Sequence, residues 1–222
     1  MKEIVIYGVG DFAKTLSSYI EEENQYTIVA YIIDAQYFSK SSTSFNGKPL
    51  LSVETFLSNE EYKSCCILLA VGYSNMRARK LMFDKAIETG REIVNFVSNK
   101  AIVHKSVQLG IGNIIFPNTV IEPNVKIGNN NIFWSSVNIS HDVKIGCHSF
   151  FASQSLLGGF CVVNDNCFMG FKGTVLQGVI LDIETLVGAC SLVLEITGPS
   201  GRYLGMPATL TSTHCEKGIT IK

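Results

Sequence analysis

The chain has 222 residues, of which 46% are hydrophobic and 17% charged, a composition that excludes a disordered polymer and suits one large domain or two small ones. Lys and Arg total 18 against 19 Asp and Glu, and a net charge of -1 without a basic run removes the electrostatic footprint of a nucleic-acid binder. The apolar runs fall short of the roughly 20 residues that span a bilayer, and MKEIVIYG opens on a strand without a signal-peptide pattern, so the expectation is a cytoplasmic protein with no membrane partner.

From the N-terminus, KEIVIYG reads as a strand, GDFAKTLSSYIEEEN as an amphipathic helix and YTIVAYIID as a second strand, which is a βαβ beginning. SKSSTSF reads as a surface loop, SCCILLAVG as a third strand and MRARKLMFDKAIETG as a helix, after which REIVNFV leads onward. The first turn spells GxGxxA from Gly8 and Gly10 to Ala13. Glycines there let backbone N–H groups approach a pyrophosphate at a helix N-terminus, and Asp34 ends the second strand where Rossmann proteins hold a ribose hydroxyl. A tight βα turn accounts for the same glycines. Residues 1–95 supply too few strands for a full dinucleotide fold, so an α/β Rossmann-like half-domain of mononucleotide size is expected and NAD chemistry is disfavoured.

From Val97 to Val193 every sixth residue is apolar without one insertion, a run that chance produces about once in 100,000 trials. Two positions earlier stands a mostly smaller residue, with Asn113 and Asn131 the exceptions. Residues two apart share one face of a strand, so each hexad has two inward positions followed by a turn. Gly112, Asn118, Asn124, Asn130, Asp142, Asn166 and Gly178 occupy the turn, residue types that tolerate a left-handed corner. Seven cysteines without a CxxC pair read as reduced packing thiols. The low charge fraction predicts apolar surface shared with another subunit, with Trp134, Phe150 and Phe171 as outward candidates.

These hexads resemble the hexapeptide-repeat superfamily, whose chains wind as an all-β left-handed parallel β-helix and mostly assemble as homotrimers. With the N-terminal half, the chain resembles the bacterial N-acyltransferases of nucleotide-linked amino-deoxysugars, which are grouped with sialic acid O-acetyltransferases. His141 and Asp142 in NISHDVKIG carry the resemblance, together with Gly205–Ala208, where Met206 replaces the usual Asn, and the loop Gly72, Tyr73, Ser74, Asn75. It implies a nucleotide-sugar domain over 1–95, an acyltransferase β-helix over 96–195 and a CoA-contacting tail over 196–222. It implies acetyl-CoA or another acyl-CoA as co-substrate, without a metal, and a role in surface polysaccharide such as O-antigen.

Within that resemblance His141 is the general base that a sugar amine, mostly ammonium at neutral pH, requires before it can attack a thioester. Asp142 fixes the imidazole tautomer or serves only as a corner residue, and Gly159 either offers an oxyanion N–H or turns a corner. Gly8, Gly10, Asp11, Asp34, Gly72, Tyr73 and Asn75 are the nucleotide-sugar candidates, and Phe12 stands where several relatives carry a histidine. Asn138 and Trp134 are candidates for the sugar pocket, and Gly170, Phe171, Gly188, Ala189 and Pro207 for CoA. His148, His104 and His214 read as solvated or surface residues. Sugar O-acetylation and transfer of a longer acyl such as hydroxybutyryl are the alternative reactions. A zinc hydratase on the same prism needs converging histidines that four scattered ones do not supply, and a non-enzymatic trimeric scaffold is a reading from another class.

Overall fold

The computed structural model describes residues 1–39 and 43–221. The chain divides into two compact units, Met1–Gly72 with Leu81–Asn95, and Tyr73–Lys80 with Phe96–Lys222. Strand β1 (Lys2–Tyr7) leads through α1 (Asp11–Glu23) to β2 (Tyr26–Ile33), and β3 (Ser44–Phe45), β4 (Lys48–Ser52), α2 (Val53–Ser58), β5 (Cys66–Leu69) and α3 (Met76–Glu88) follow. Helix α3 is shared: its first five residues belong to the second unit.

In the first unit the described strands form one sheet in the order β3-β4-β2-β1-β5, parallel except for the β3–β4 hairpin. Ile4 to Tyr7 and Ile67 to Leu69 are buried without alternation, as expected of a parallel sheet covered on both faces. Helix α1 buries Ala13, Leu16, Ser17 and Ile20, a stripe at helical spacing, and ends on Asn24 in the left-handed conformation. The loop expected over SKSSTSF is corrected in part: Ser44 and Phe45 pair with β4, and residues 40–42 of that stretch lie outside the described residues. Ser52 caps α2 by accepting from the Thr55 N–H at 3.1 Å.

The second unit is a left-handed parallel β-helix. Its two-residue strands run from Phe96–Val97 to Leu192–Val193, and each ends on a residue of the sixfold series. Strands 18 residues apart pair in parallel and build three faces. The first face contains Phe133 and Phe151, the second Ile121 and Ile139, and the third Ile127 and Ile145. From Gly112 to Cys190 every sixth residue has a positive φ, so the corner conformation is imposed by the coil and extends to Ser136, Gln154, Phe160, Lys172 and Glu184.

The two asparagines that break the small-residue series form an internal ladder. Asn131 Nδ2 donates to Asn113 Oδ1 at 3.1 Å and to the Gly146 carbonyl at 2.9 Å, while Asn131 Oδ1 accepts from the Ser149 N–H at 2.8 Å. Ser149 and Cys167 continue the column, and burial pushes the Cys167 thiol up to about 12. The tail extends the first face: Gly201–Leu204 pairs with Leu186–Val187, and Thr209–Thr213 closes a hairpin on it.

Residues 73–80 and 218–221 lie across this first face. Tyr73 packs on Phe150 and Phe168, and Asn75 bridges to Thr220. Phe150, expected to face outward into a cleft, is instead 2% exposed, because Tyr73 packs on it. Arg77 is bidentate to Glu184, with both contacts at 2.6 Å. Arg79 is fully buried and donates to the Asn130 and His148 carbonyls. Burial pulls its guanidinium down to about 9, which leaves it charged at neutral pH. His148 is likewise corrected: it turns a corner, but it is buried and meets Asn130 Nδ2 at 2.9 Å.

Candidate active site

Because Ile139 points into the prism, His141 stands two residues on at a corner, and Asp142 takes the left-handed φ of 60°. That bend sets His141 Nδ1 3.0 Å from Asp142 Oδ2. A carboxylate there accepts the Nδ1 proton of neutral imidazole and puts the lone pair on Nε2. Asp142 therefore fills the corner and touches the ring at once, and its Oδ1 accepts from Asn124 Nδ2 at 3.3 Å. The His141 backbone N–H donates to Glu122 Oε2 at 2.8 Å, and Phe160 stands edge-on to the imidazole with centroids 5.1 Å apart. The side chain of His141 is 46% exposed.

Gly159 lies directly beneath the ring, where a Cβ would come within 2.8 Å of His141 Cε1 and 2.9 Å of Nε2. Its carbonyl accepts from the Gly178 N–H at 2.9 Å, and among the described residues nothing accepts from its own N–H. Asn138 is on the second face, with a buried Oδ1 that has no partner among the described residues. Ile102 and Leu156 share that face and remain 67% and 36% exposed.

A cavity of about 570 Å³ runs along the neighbouring corner, lined by Tyr73, Trp134, Phe168 and Arg202, and it brings together Gly170, Phe171, Gly188 and Ala189. A Cβ on Gly170 would meet the Ala189 nitrogen at 2.6 Å, so this wall is kept bare by close stacking of coils. Trp134 lies flat on Phe116, with centroids 4.4 Å apart. Pro207 is not with this group; it lines another hollow with Tyr203 and Leu210.

In the first unit Gly8 has φ 130°, and a Cβ there would come within 2.6 Å of the Ala70 carbonyl, so the approach of β5 requires glycine. Gly10 begins α1 with open space around it, and Asp11 is exposed and 3.7 Å from Lys14. Gly72 lies 3.9 Å from the Phe12 Cβ by the same measure. Asp34 accepts from Tyr7 Oη and Lys85 Nζ at the ends of β1 and β2. Burial works to raise the Asp34 carboxyl, but the hydrogen bonds from Lys85 and Tyr7 outweigh it and hold it below its ordinary value. These three residues line a cavity of about 400 Å³ with Gln36, Glu54 and Glu88. In the second unit Asn75 spends its Oδ1 on the Ala78 N–H at 2.9 Å, capping α3.

Residues 3–86 match the PglD N-terminal domain. The Gly8 turn and Asp34 fall within the matched residues, and the β-helix follows them. No curated protein sequence matches the chain. Among solved structures, PerB from Caulobacter crescentus in complex with CoA and GDP-perosamine is 24% identical, covering 96% of this chain and 98% of that one with a TM-score of 0.84. The acetyltransferase domain of PglB from Neisseria gonorrhoeae is 17% identical over 95% of this chain and 100% of that one, TM-score 0.82. WeeI from Acinetobacter baumannii is 22% identical over 95% and 100%, TM-score 0.81. The two-unit fold is therefore shared along nearly the whole chain.

Among the described residues no group of three or more His, Cys, Asp or Glu converges on a metal position, and no helix is long and apolar enough to cross a membrane. Glu122, Lys85 and Arg202 join these sites without having been singled out from the sequence. Glu122 could have been found by stepping back about one coil from His141; Lys85, on a helix distant in sequence from Asp34, carries no local signal.

Proposed function

We propose that the protein is an acyl-CoA-dependent N-acyltransferase, most simply an acetyltransferase, acting on the amine of a nucleotide-linked amino-dideoxysugar for surface polysaccharide. The observation that carries the reading is the His141 imidazole, bound through Nδ1 to Asp142 and seated over Gly159. The ammonium of the sugar first loses one proton to solvent; as the amine nitrogen bonds to the thioester carbonyl carbon, Nε2 takes a second proton from that nitrogen. The carbonyl oxygen gains the electron pair and meets the Gly159 N–H. Collapse re-forms the carbonyl, breaks the C–S bond and expels CoA thiolate, which takes up the proton from the imidazolium. Asp142 steadies that imidazolium while it lasts.

The PglD-type domain, with Asp34 and the Gly8 turn, is the place for the nucleotide. Gly170, Phe171, Gly188 and Ala189 form the groove for the pantetheine arm. The CoA and GDP-perosamine held by PerB and the acetyl coenzyme A held by the PglB domain support these two classes of ligand. The exposed apolar second face, with Ile102 and Leu156, supports a homotrimer. The test is release of free thiol from a panel of acyl-CoAs with dTDP-, UDP- and GDP-linked amino sugars, beside His141→Asn. Turnover by one pair, with kcat of His141→Asn lower by about 100- to 10,000-fold, is the expected result. No thiol release from any pair refutes the enzyme reading, and a fully active His141→Asn refutes the base.

A further inference from the structure

The groove beside the first face has one polar end. Along it the outward residues of paired strands are Ile132, Phe150, Phe168 and Leu186, and the next partner in the ladder is Arg202. An arginine thus succeeds four apolar side chains at the C-terminal end of the cavity that Trp134 lines. Its Nε is buried and has no hydrogen-bond partner among the described residues. A buried guanidinium nitrogen facing no acceptor forfeits a charge-assisted hydrogen bond, and a planar fork of donors of this kind suits phosphate oxygens.

The length agrees with a ligand that is apolar along most of its course and anionic at one end. Four strand spacings separate the Phe133 level, beside Trp134, from Arg202, about 19 Å at about 4.8 Å per step. About thirteen bonds join the sulfur of pantetheine to its first phosphorus. At the advance per bond of an extended backbone they span about 15 Å, leaving about 4 Å for a short acyl group.

Resting on the acyltransferase reading, the geometry points to Arg202 as the residue that binds the phosphate end of the acyl donor. The donor then runs along the groove with its thioester at the Trp134 end. Arg202 acts on donor affinity and touches none of the reacting atoms.

Arg202→Gln and Arg202→Lys, compared with wild type on acetyl-CoA and on phosphate-free acetyl-pantetheine, test this. The expected KM for acetyl-CoA rises roughly 10- to 100-fold in Arg202→Gln at unchanged kcat, the loss of one charge-assisted contact, and Arg202→Lys recovers part of it. With acetyl-pantetheine, which has no phosphate to lose, Arg202→Gln and wild type are expected to give equal rates, which also reports that the variant is folded. A KM for acetyl-CoA within twofold of wild type, or an equal loss with both donors, overturns the assignment of Arg202 alone. A wild-type protein that uses neither donor overturns the acyltransferase reading and this inference with it.

Discussion

Replacing Gly159 with alanine places one methyl group beneath the His141 ring and nothing else. The new carbon would lie 2.8 Å from Cε1. Carbon–carbon contacts settle at about 3.5–4.0 Å, so the imidazole must retreat by about 0.7–1.2 Å. Asp142 holds the ring at 3.0 Å from one side and Phe160 stands against it from another, so the retreat comes at the expense of the Nδ1 contact. A misplacement of about 1 Å in a reacting group costs roughly 100-fold in rate, or about 2.7 kcal/mol of barrier. Gly159 does not use the left-handed region, so the backbone accepts alanine, and the folded state gains up to about 1 kcal/mol from a stiffer unfolded chain. The thiol-release assay should therefore show kcat of Gly159→Ala down about 100-fold while the melting temperature holds or rises. Full activity in a folded Gly159→Ala would mean that the ring position above Gly159 is not the one that matters for the reaction.

Other perturbations address the fold. Asn131→Ala strips the ladder inside the prism and leaves the Ser149 N–H and the Gly146 carbonyl without partners; urea unfolding should show a loss of about 2–4 kcal/mol, and a loss below about 0.5 kcal/mol would refute a structural role. Arg77 holds the Glu184 carboxyl below its ordinary range. The stabilisation from that shift is complete above the ordinary carboxylate range and is lost as the pH falls through the depressed folded value, since the unfolded chain binds the proton first. Glu184→Gln should accordingly be less stable than wild type at neutral pH, with a gap that narrows on acidification; a gap constant from about pH 7 to about pH 3 would contradict it.

The sixfold register was legible because each hexad commits two side chains to one interior, and every strand from Phe96–Val97 to Leu192–Val193 ends on the residue that the spacing marks. The corners were half legible. Asn118 and Asp142 announce a left-handed turn by type, but Phe160 and Lys172 adopt it only because the coil must close. His141, Asp142 and Gly159 share one corner, and the one-coil spacing of 18 between His141 and Gly159 already implied that they stack. The cover over the first face was not legible. MRARKLMF reads as an ordinary amphipathic helix, and nothing local says that Arg79 is buried against the Asn130 and His148 carbonyls. The same docking buries Phe150 under Tyr73, a contact between residues 77 positions apart.

The three-faced coil also limits how this chain can change its length. Each column of the site, His141 above Gly159 or Gly170 above Gly188, holds only while the residues between them number a full circuit. A deletion of six turns everything downstream onto the wrong face, and a deletion of 18 restores the faces but draws the two ends of the groove together by about 4.8 Å. Such a chain can measure its ligand in whole turns, and a coil gained or lost between Trp134 and Arg202 would reset the length of donor that fits.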